Sequence, residues 1–221
     1  MKKKLIIVGL SSFAEIAFKY FQELSEYEVV SFCVEKKFLG IREKYSLPVY
    51  AFEEIEEFCD PSSHFIFVAI TYTKLNRERK RILDESIQKG YRPASFISKY
   101  AYLSKDAIIG EHCFIFEDNT IQPFVEIKDN VILWSGNHIG HHSIIMHDNF
   151  ISSHVVISGH CKIGSSSFIG VNSTISNNVE IGKDNWIGPG SLISKNTKDN
   201  SLFKTPDTIK SKVDTHKFFR I

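Results

Sequence analysis

The sequence predicts a small parallel α/β domain followed by a parallel β-helix. Three observations carry that expectation. Over residues 1–92, apolar runs alternate with segments of helical periodicity. From Ile97 to Ile193, every sixth residue is Ile or Leu, seventeen positions with no insertion between them. After Ile193 the repeat stops, which divides the chain into 1–92, 93–196 and 197–221.

The first segment opens with Leu5-Ile6-Ile7-Val8, a short apolar run ending at Gly9 that reads as a buried parallel strand. Ser11 or Ser12 can cap the helix that follows, where Phe13, Ile16, Ala17, Tyr20, Phe21 and Leu24 recur at helical spacing. Val29 to Val34 reads as a second strand, Glu53 to Phe58 as a short acidic helix, and Phe65 to Ile70 as a third strand. Residues 74–89 are amphipathic and end at Gly90. Strand–helix alternation of this kind argues a parallel sheet. Such sheets bind ligands at the carboxyl ends of their strands, beside helix N-termini. Gly9, Ser11, Ser12, Glu35, Thr71 and Tyr72 therefore mark a candidate site for a nucleotide's phosphates and base. It is not a dinucleotide fingerprint, because the first strand is not followed by G-x-G-x-x-G.

In the second segment, a period of six fits neither a helix nor an alternating strand. It is the hexapeptide signature of a parallel β-helix, in which three short faces close a triangular coil and residues eighteen apart stack. The aliphatic residue points inward, and burying each contributes roughly 1.5–3 kcal/mol. Two residues earlier the chain places small, β-branched or Asn side chains, among them Cys113, Val125, Ser143, Cys161 and Asn185. Gly follows the aliphatic residue at Gly110, Gly140, Gly164, Gly170, Gly182 and Gly188. These glycines and the asparagines are expected to supply turns with positive φ. The basic segment 197–221 is expected to close the open end of the prism.

Composition narrows the function classes. A net charge of +1 gives no electrostatic case for nucleic acid or membrane binding. Cys33, Cys59, Cys113 and Cys161 share no C-x-x-C spacing and read as reduced packing residues of a cytoplasmic protein. The run Met1 to Lys4 precedes only about five apolar residues, too few for a signal h-region or a membrane span.

Histidines concentrate in the middle coils: His138, His141, His142, His147, His154 and His160. Counting by eighteen stacks His142 near His160 and His141 near Gly159. Two chemistries use such a band. A neutral imidazole can take the proton from an amine or hydroxyl attacking a thioester, while a backbone N–H stabilises the oxyanion. Alternatively, three neutral imidazoles can hold zinc in a lyase or hydratase, with His142, His154 and His160 as candidates. A scaffold with a vestigial site is the third reading.

The α/β segment followed by an uninterrupted hexapeptide prism resembles the sialic acid O-acetyltransferases and nucleotide-aminosugar N-acetyltransferases, over nearly the whole chain. The resemblance implies a left-handed coil, a nucleotide-linked sugar on the N-terminal domain, and acetyl-CoA between adjacent subunits of a homotrimer. It implies no metal, no nucleic-acid partner and no membrane insertion. The stretch Ile139-Gly140-His141-His142-Ser143-Ile144-Ile145 matches the one that carries the family's general base, which falls on His141. Gly159, in Ser158-Gly159-His160-Cys161, matches the glycine whose amide meets the thioester carbonyl. An amine on a dideoxy sugar is the acceptor favoured by analogy, with a sugar hydroxyl as the alternative, for a surface polysaccharide or a glycan on protein.

The chain departs from the family in four places. Its first turn reads Gly9-Leu10-Ser11-Ser12-Phe13 instead of G-x-x-G followed by His. His142 follows the base where an acidic residue is often found, leaving Asp148, His142 or another subunit to orient the imidazole. A second cofactor-touching histidine is replaced by Phe150. The G-x-P-A-K ending is replaced by Lys204-Thr205-Pro206-Asp207, so Lys195 and Lys204 are candidates for the cofactor's phosphates.

Overall fold

The first domain is built on the apolar run that opens the chain. The computed structural model describes residues 2–221, so Met1, which begins the basic run, lies outside the described residues. Leu5, Ile6 and Ile7 are fully buried in β1 (Lys3–Val8). Then come α1 (Ser12–Leu24), β2 (Tyr27–Val34), β3 (Glu43–Lys44), β4 (Leu47–Ala51), β5 (His64–Val68), α2 (Arg77–Gln88) and β6 (Arg92–Pro93). The sheet order is β3-β4-β2-β1-β5-β6.

Three local expectations change. The sheet is parallel except at its edge, where β3 pairs antiparallel with β4. The intervening turn places Tyr45 and Ser46 at φ 52° and 58°. That is the left-handed pair a tight hairpin requires, made without the Asn or Gly that would advertise it. The acidic segment is a 3-10 helix, Phe52–Glu57. Ser11 does occupy the N-cap position of α1, but its hydroxyl makes no capping hydrogen bond.

The second domain is a left-handed parallel β-helix of two-residue strands on three faces. Strand partners are eighteen residues apart, as in Phe114↔Ile132 and His138↔Val156. The inward Ile and Leu residues from Ile115 to Ile187 are at most 2% exposed. Ile97 is 40% exposed, because the first coil has no coil beneath it.

The turns keep the role expected of the asparagines and change that of the glycines directly after the aliphatic residue. Positive φ falls three residues after the inward position at His112, Asp118, Phe124, Asn130, Gly136, His142, Asp148, His154, His160, Ser166, Asn172, Asn178, Asp184 and Gly190. The glycines that follow the aliphatic residue do something else: they let consecutive coils touch. A Cβ on Gly140 would come within 2.5 Å of the Gly159 nitrogen.

One face of the prism carries an outward column of Phe96, Phe114, Ile132, Phe150, Phe168 and Trp186. The N-terminal domain packs over it with Phe13, Phe21, Phe67 and Tyr72. Tyr72, expected at the nucleotide site, instead lies 5.0 Å from the Phe150 ring centroid and 4.6 Å from that of Phe168. Phe150 is thereby buried in the joint between the domains and has no face free for a cofactor.

A polar strut completes the joint. Arg79 of α2 is fully buried and donates from Nε to Asn130 Oδ1 at 2.9 Å, and from Nη2 to the Asn149 carbonyl at 3.3 Å. His112 Nε2 accepts the Val68 N–H at 2.9 Å, so its proton is on Nδ1, which donates to Asn130 Oδ1 at 2.8 Å. Asn130 Nδ2 donates in turn to Asp148 Oδ1 at 2.7 Å. Burial pushes the His112 imidazole down to about 3, with the nearby Arg79 charge acting in the same direction.

The C-terminal segment closes the prism only in part. Leu202–Phe203 adds one strand beside Trp186–Ile187. Beyond Phe203 every residue is exposed, including α3 (Thr215–Phe219). A lone chain therefore has a tail where the sequence suggested a cap. The described residues contain no helix long and apolar enough to cross a membrane.

Candidate active site

The site at the corner of the prism follows from the hexapeptide register. Positions 141, 159, 177 and 195 succeed one another at eighteen-residue intervals, at the corner after the strands His138–Ile139, Val156–Ile157, Thr174–Ile175 and Leu192–Ile193. They are His141, Gly159, Asn177 and Lys195. At about 4.8 Å per coil, Lys195 stands about 14 Å from His141 along this column.

His141 is exposed, and its main-chain N–H donates to Gln122 Oε1 at 2.9 Å. Its ring lies against Gly159, where a Cβ would come 2.8 Å from Cε1 and 2.9 Å from Nε2. His141 Nδ1 and His142 Nδ1 are 3.1 Å apart. His142, not Asp148, is thus the side chain placed against the imidazole. Asp148 sits in the polar strut at a different corner. With a proton on His141 Nδ1 donated to His142, Nε2 is left with its lone pair beside Gly159.

The Gly159 N–H is engaged. It donates to Asn177 Oδ1 at 2.9 Å, an exposed side chain one coil further on. Sequence reasoning anticipated the stacking of His141 on Gly159 but not this side chain. Counting eighteen onward from Gly159 would have found it.

Of the six clustered histidines, the corner gathers three. The His142 and His160 rings stack at 4.8 Å with an interplanar angle of 16°, and His141 meets His160 edge-on at 5.0 Å. His147 lies instead near Asp129, at 3.4 Å from its carboxylate. His154 packs at Gly136, and His138 is in a strand between Thr120 and Val156. A set of His142, His154 and His160 is therefore not assembled.

The second site is a cleft of about 580 Å³ at the carboxyl ends of β1, β2 and β5. Gly9, Ser11, Glu35 and Thr71 line it, while Ser12, the exposed first residue of α1, does not. Gly9 is required there. Its φ is +126°, and a Cβ would come 3.0 Å from the Ala69 carbonyl oxygen. Glu35 accepts from Arg81 Nη2 at 3.0 Å and from Lys37 Nζ at 3.3 Å. Lys37, Phe38, Lys74 and Glu78 also line the cleft and were not anticipated. Lys204 is exposed beyond the last strand and joins neither site.

Fold and site together define the class: a left-handed hexapeptide β-helix carrying a histidine corner, joined to an α/β domain with an open cleft. Residues 160–195 match the family described as bacterial transferase hexapeptide (six repeats). No curated protein matches the chain by sequence. Among solved structures, the acetyltransferase domain of PglB from Neisseria gonorrhoeae FA1090, in complex with acetyl coenzyme A, is similar at TM-score 0.80 and 21% identity, over 91% of this chain and 96% of that one. PerB from Caulobacter crescentus, in complex with CoA and GDP-perosamine, is similar at TM-score 0.77 and 20% identity, over 94% and 97% of the two chains. WeeI from Acinetobacter baumannii AYE aligns at TM-score 0.54 and 15% identity, over 90% and 94%. The chain has the fold of the hexapeptide-repeat sugar acetyltransferases.

Proposed function

We propose that this protein is an acetyl-CoA-dependent acetyltransferase acting on an amino group of a nucleotide-linked dideoxy sugar. The product would enter a bacterial surface polysaccharide or protein glycan, made in the cytoplasm. The observation that carries this reading is the placement of the His141 ring against Gly159. A base and a main-chain amide meet at one corner of a fold shared with enzymes crystallised with acetyl coenzyme A, or with CoA and an aminosugar nucleotide.

The sugar amine attacks the thioester carbonyl carbon while His141 Nε2 takes the amine proton. The Gly159 amide, once released by Asn177, stabilises the oxyanion. Collapse of the tetrahedral intermediate breaks the C–S bond, and the imidazolium returns its proton to the departing CoA thiolate. The cofactor lies along the corner column with Lys195 toward its phosphates. Glu35, at the end of β2, accepts hydrogen bonds from ribose hydroxyls, and Lys37 and Lys74 face the diphosphate. A homotrimer supplies the second wall that keeps water from the corner.

The test is CoA thiol release with a panel of nucleotide sugars, for wild type and His141→Ala. Turnover should fall about 10²–10⁴-fold in the variant with acetyl-CoA affinity retained. Full activity in His141→Ala sinks the assignment of the base. Release supported only by sugars without an amine would move the acceptor to a hydroxyl.

A further inference from the structure

His142 and His160 occupy equivalent corners of consecutive coils, with φ of 59° and 56°. A left-handed corner favours a short polar residue or His. At the other left-handed corners the chain uses Asp, Asn, Ser, Gly or Phe, and histidine again at His112 and His154. The backbone therefore permits histidine at 142 and 160 but does not require it, and each is exposed and aimed at the corner that holds His141.

Ligand nitrogens of His141, His142 and His160 all lie within 4.8 Å of one another. The two Nδ1 atoms of His141 and His142 are 3.1 Å apart. Two imidazoles bound to one tetrahedral zinc at 2.0–2.1 Å place their nitrogens about 3.3 Å apart. The His141–His142 pair already has that spacing, and the exposed His160 ring closes the third position by a side-chain rotation. Three neutral imidazoles with an open fourth position suit Zn²⁺, Co²⁺ or Ni²⁺.

We propose that His141, His142 and His160 form a divalent transition-metal site that switches the enzyme off. A neutral imidazole has one lone pair. If the metal takes it at Nδ1, Nε2 carries the proton, and if at Nε2, the basic atom itself is occupied. Either way His141 can no longer accept the amine proton. Metal binding stands on the geometry alone, while the inhibition rests on the acetyltransferase reading.

The experiment uses untagged, chelator-treated full-length protein titrated with Co²⁺ and followed by visible ligand-field absorption. Wild type should bind one ion per chain. His142→Asn and His160→Asn, which keep a residue suited to a left-handed corner, should each weaken binding at least about tenfold with unchanged circular dichroism. Absence of the absorption in wild type, or wild-type affinity in both variants, overturns the site. One equivalent of Zn²⁺ should then stop thiol release by wild type, reversibly with chelator, and should spare His160→Asn. Full turnover by zinc-loaded wild type overturns the switch. If no nucleotide sugar supports thiol release, the acetyltransferase reading fails while the Co²⁺ titration still decides the metal site.

Discussion

Gly159 lies flat beneath the ring of His141, with no room between them for a methyl group. The glycine is not there for its φ, since it is absent from the positive-φ positions. Gly159→Ala would put a Cβ 2.8 Å from His141 Cε1, and the exposed ring would swing away. Displacing a catalytic group by about 1 Å can cost about 10²-fold in rate. We expect kcat for thiol release to fall by about that factor while the melting temperature changes little. An unchanged kcat would show that the ring does not work from this position.

Asn177 accepts the hydrogen bond of the Gly159 amide, the group that the proposed reaction uses. Asn177→Ala removes a competing acceptor worth about 1 kcal/mol, so kcat/KM for acetyl-CoA should stay level or rise by up to about fivefold. Asn177→Asp replaces it with a charged and stronger acceptor that also repels a developing oxyanion, and should lower kcat. Steady-state kinetics of the two variants check this pair. A drop of tenfold or more in Asn177→Ala would mean that the side chain contributes to catalysis.

The prism was legible because its rule is arithmetical. Seventeen aliphatic residues at a spacing of six leave few other folds, and the eighteen-residue register that stacks His141 on Gly159 follows from the same count. The docking face obeys the same arithmetic. Phe96, Phe114, Phe150, Phe168 and Trp186 recur on the eighteen-residue count, one place before an inward residue, where the other two faces carry polar or aliphatic residues and a single aromatic, Tyr102. What the sequence could not display is pairing without a period. His112 and Asn130 stack on the eighteen-residue count, but Arg79 reaches them only once the domains are docked. Tyr45-Ser46 makes a left-handed hairpin turn with residues that usually avoid one. The eighteen-residue count already puts His147 and His154 at other corners; what it could not show is how closely the ring nitrogens of His141, His142 and His160 approach one another.

Lys195 follows His141, Gly159 and Asn177 on the corner column, about 14 Å from His141 at about 4.8 Å per coil. An exposed lysine meeting a phosphate is worth about 1 kcal/mol or less. Lys195→Ala should raise KM for acetyl-CoA by about three- to fivefold, leave kcat alone, and lose its effect at high salt. Lys204→Ala should change neither parameter, since Lys204 is off the column. The same two kinetic constants at low and high ionic strength decide the matter.

The buried His112 makes the joint between the domains sensitive to acid. Its pKa is pushed from 6.5 to about 3 by burial, so between those values the unfolded chain binds a proton that the folded chain excludes. Stability therefore rises with pH across that window and is lost as the pH falls from 6.5 toward 3. His112→Asn keeps a residue suited to the φ of 54° but leaves the Val68 N–H without its ring acceptor. The variant should lose about 1–3 kcal/mol near neutral pH, the cost of an unsatisfied buried donor. It should also show a shallower decline in unfolding free energy between pH 6.5 and pH 4, because one of the groups that binds a proton on unfolding is gone. Denaturant unfolding of both proteins across that range measures the slope. Equal slopes would mean that His112 takes up its proton in the folded protein and that the strut opens before the chain unfolds.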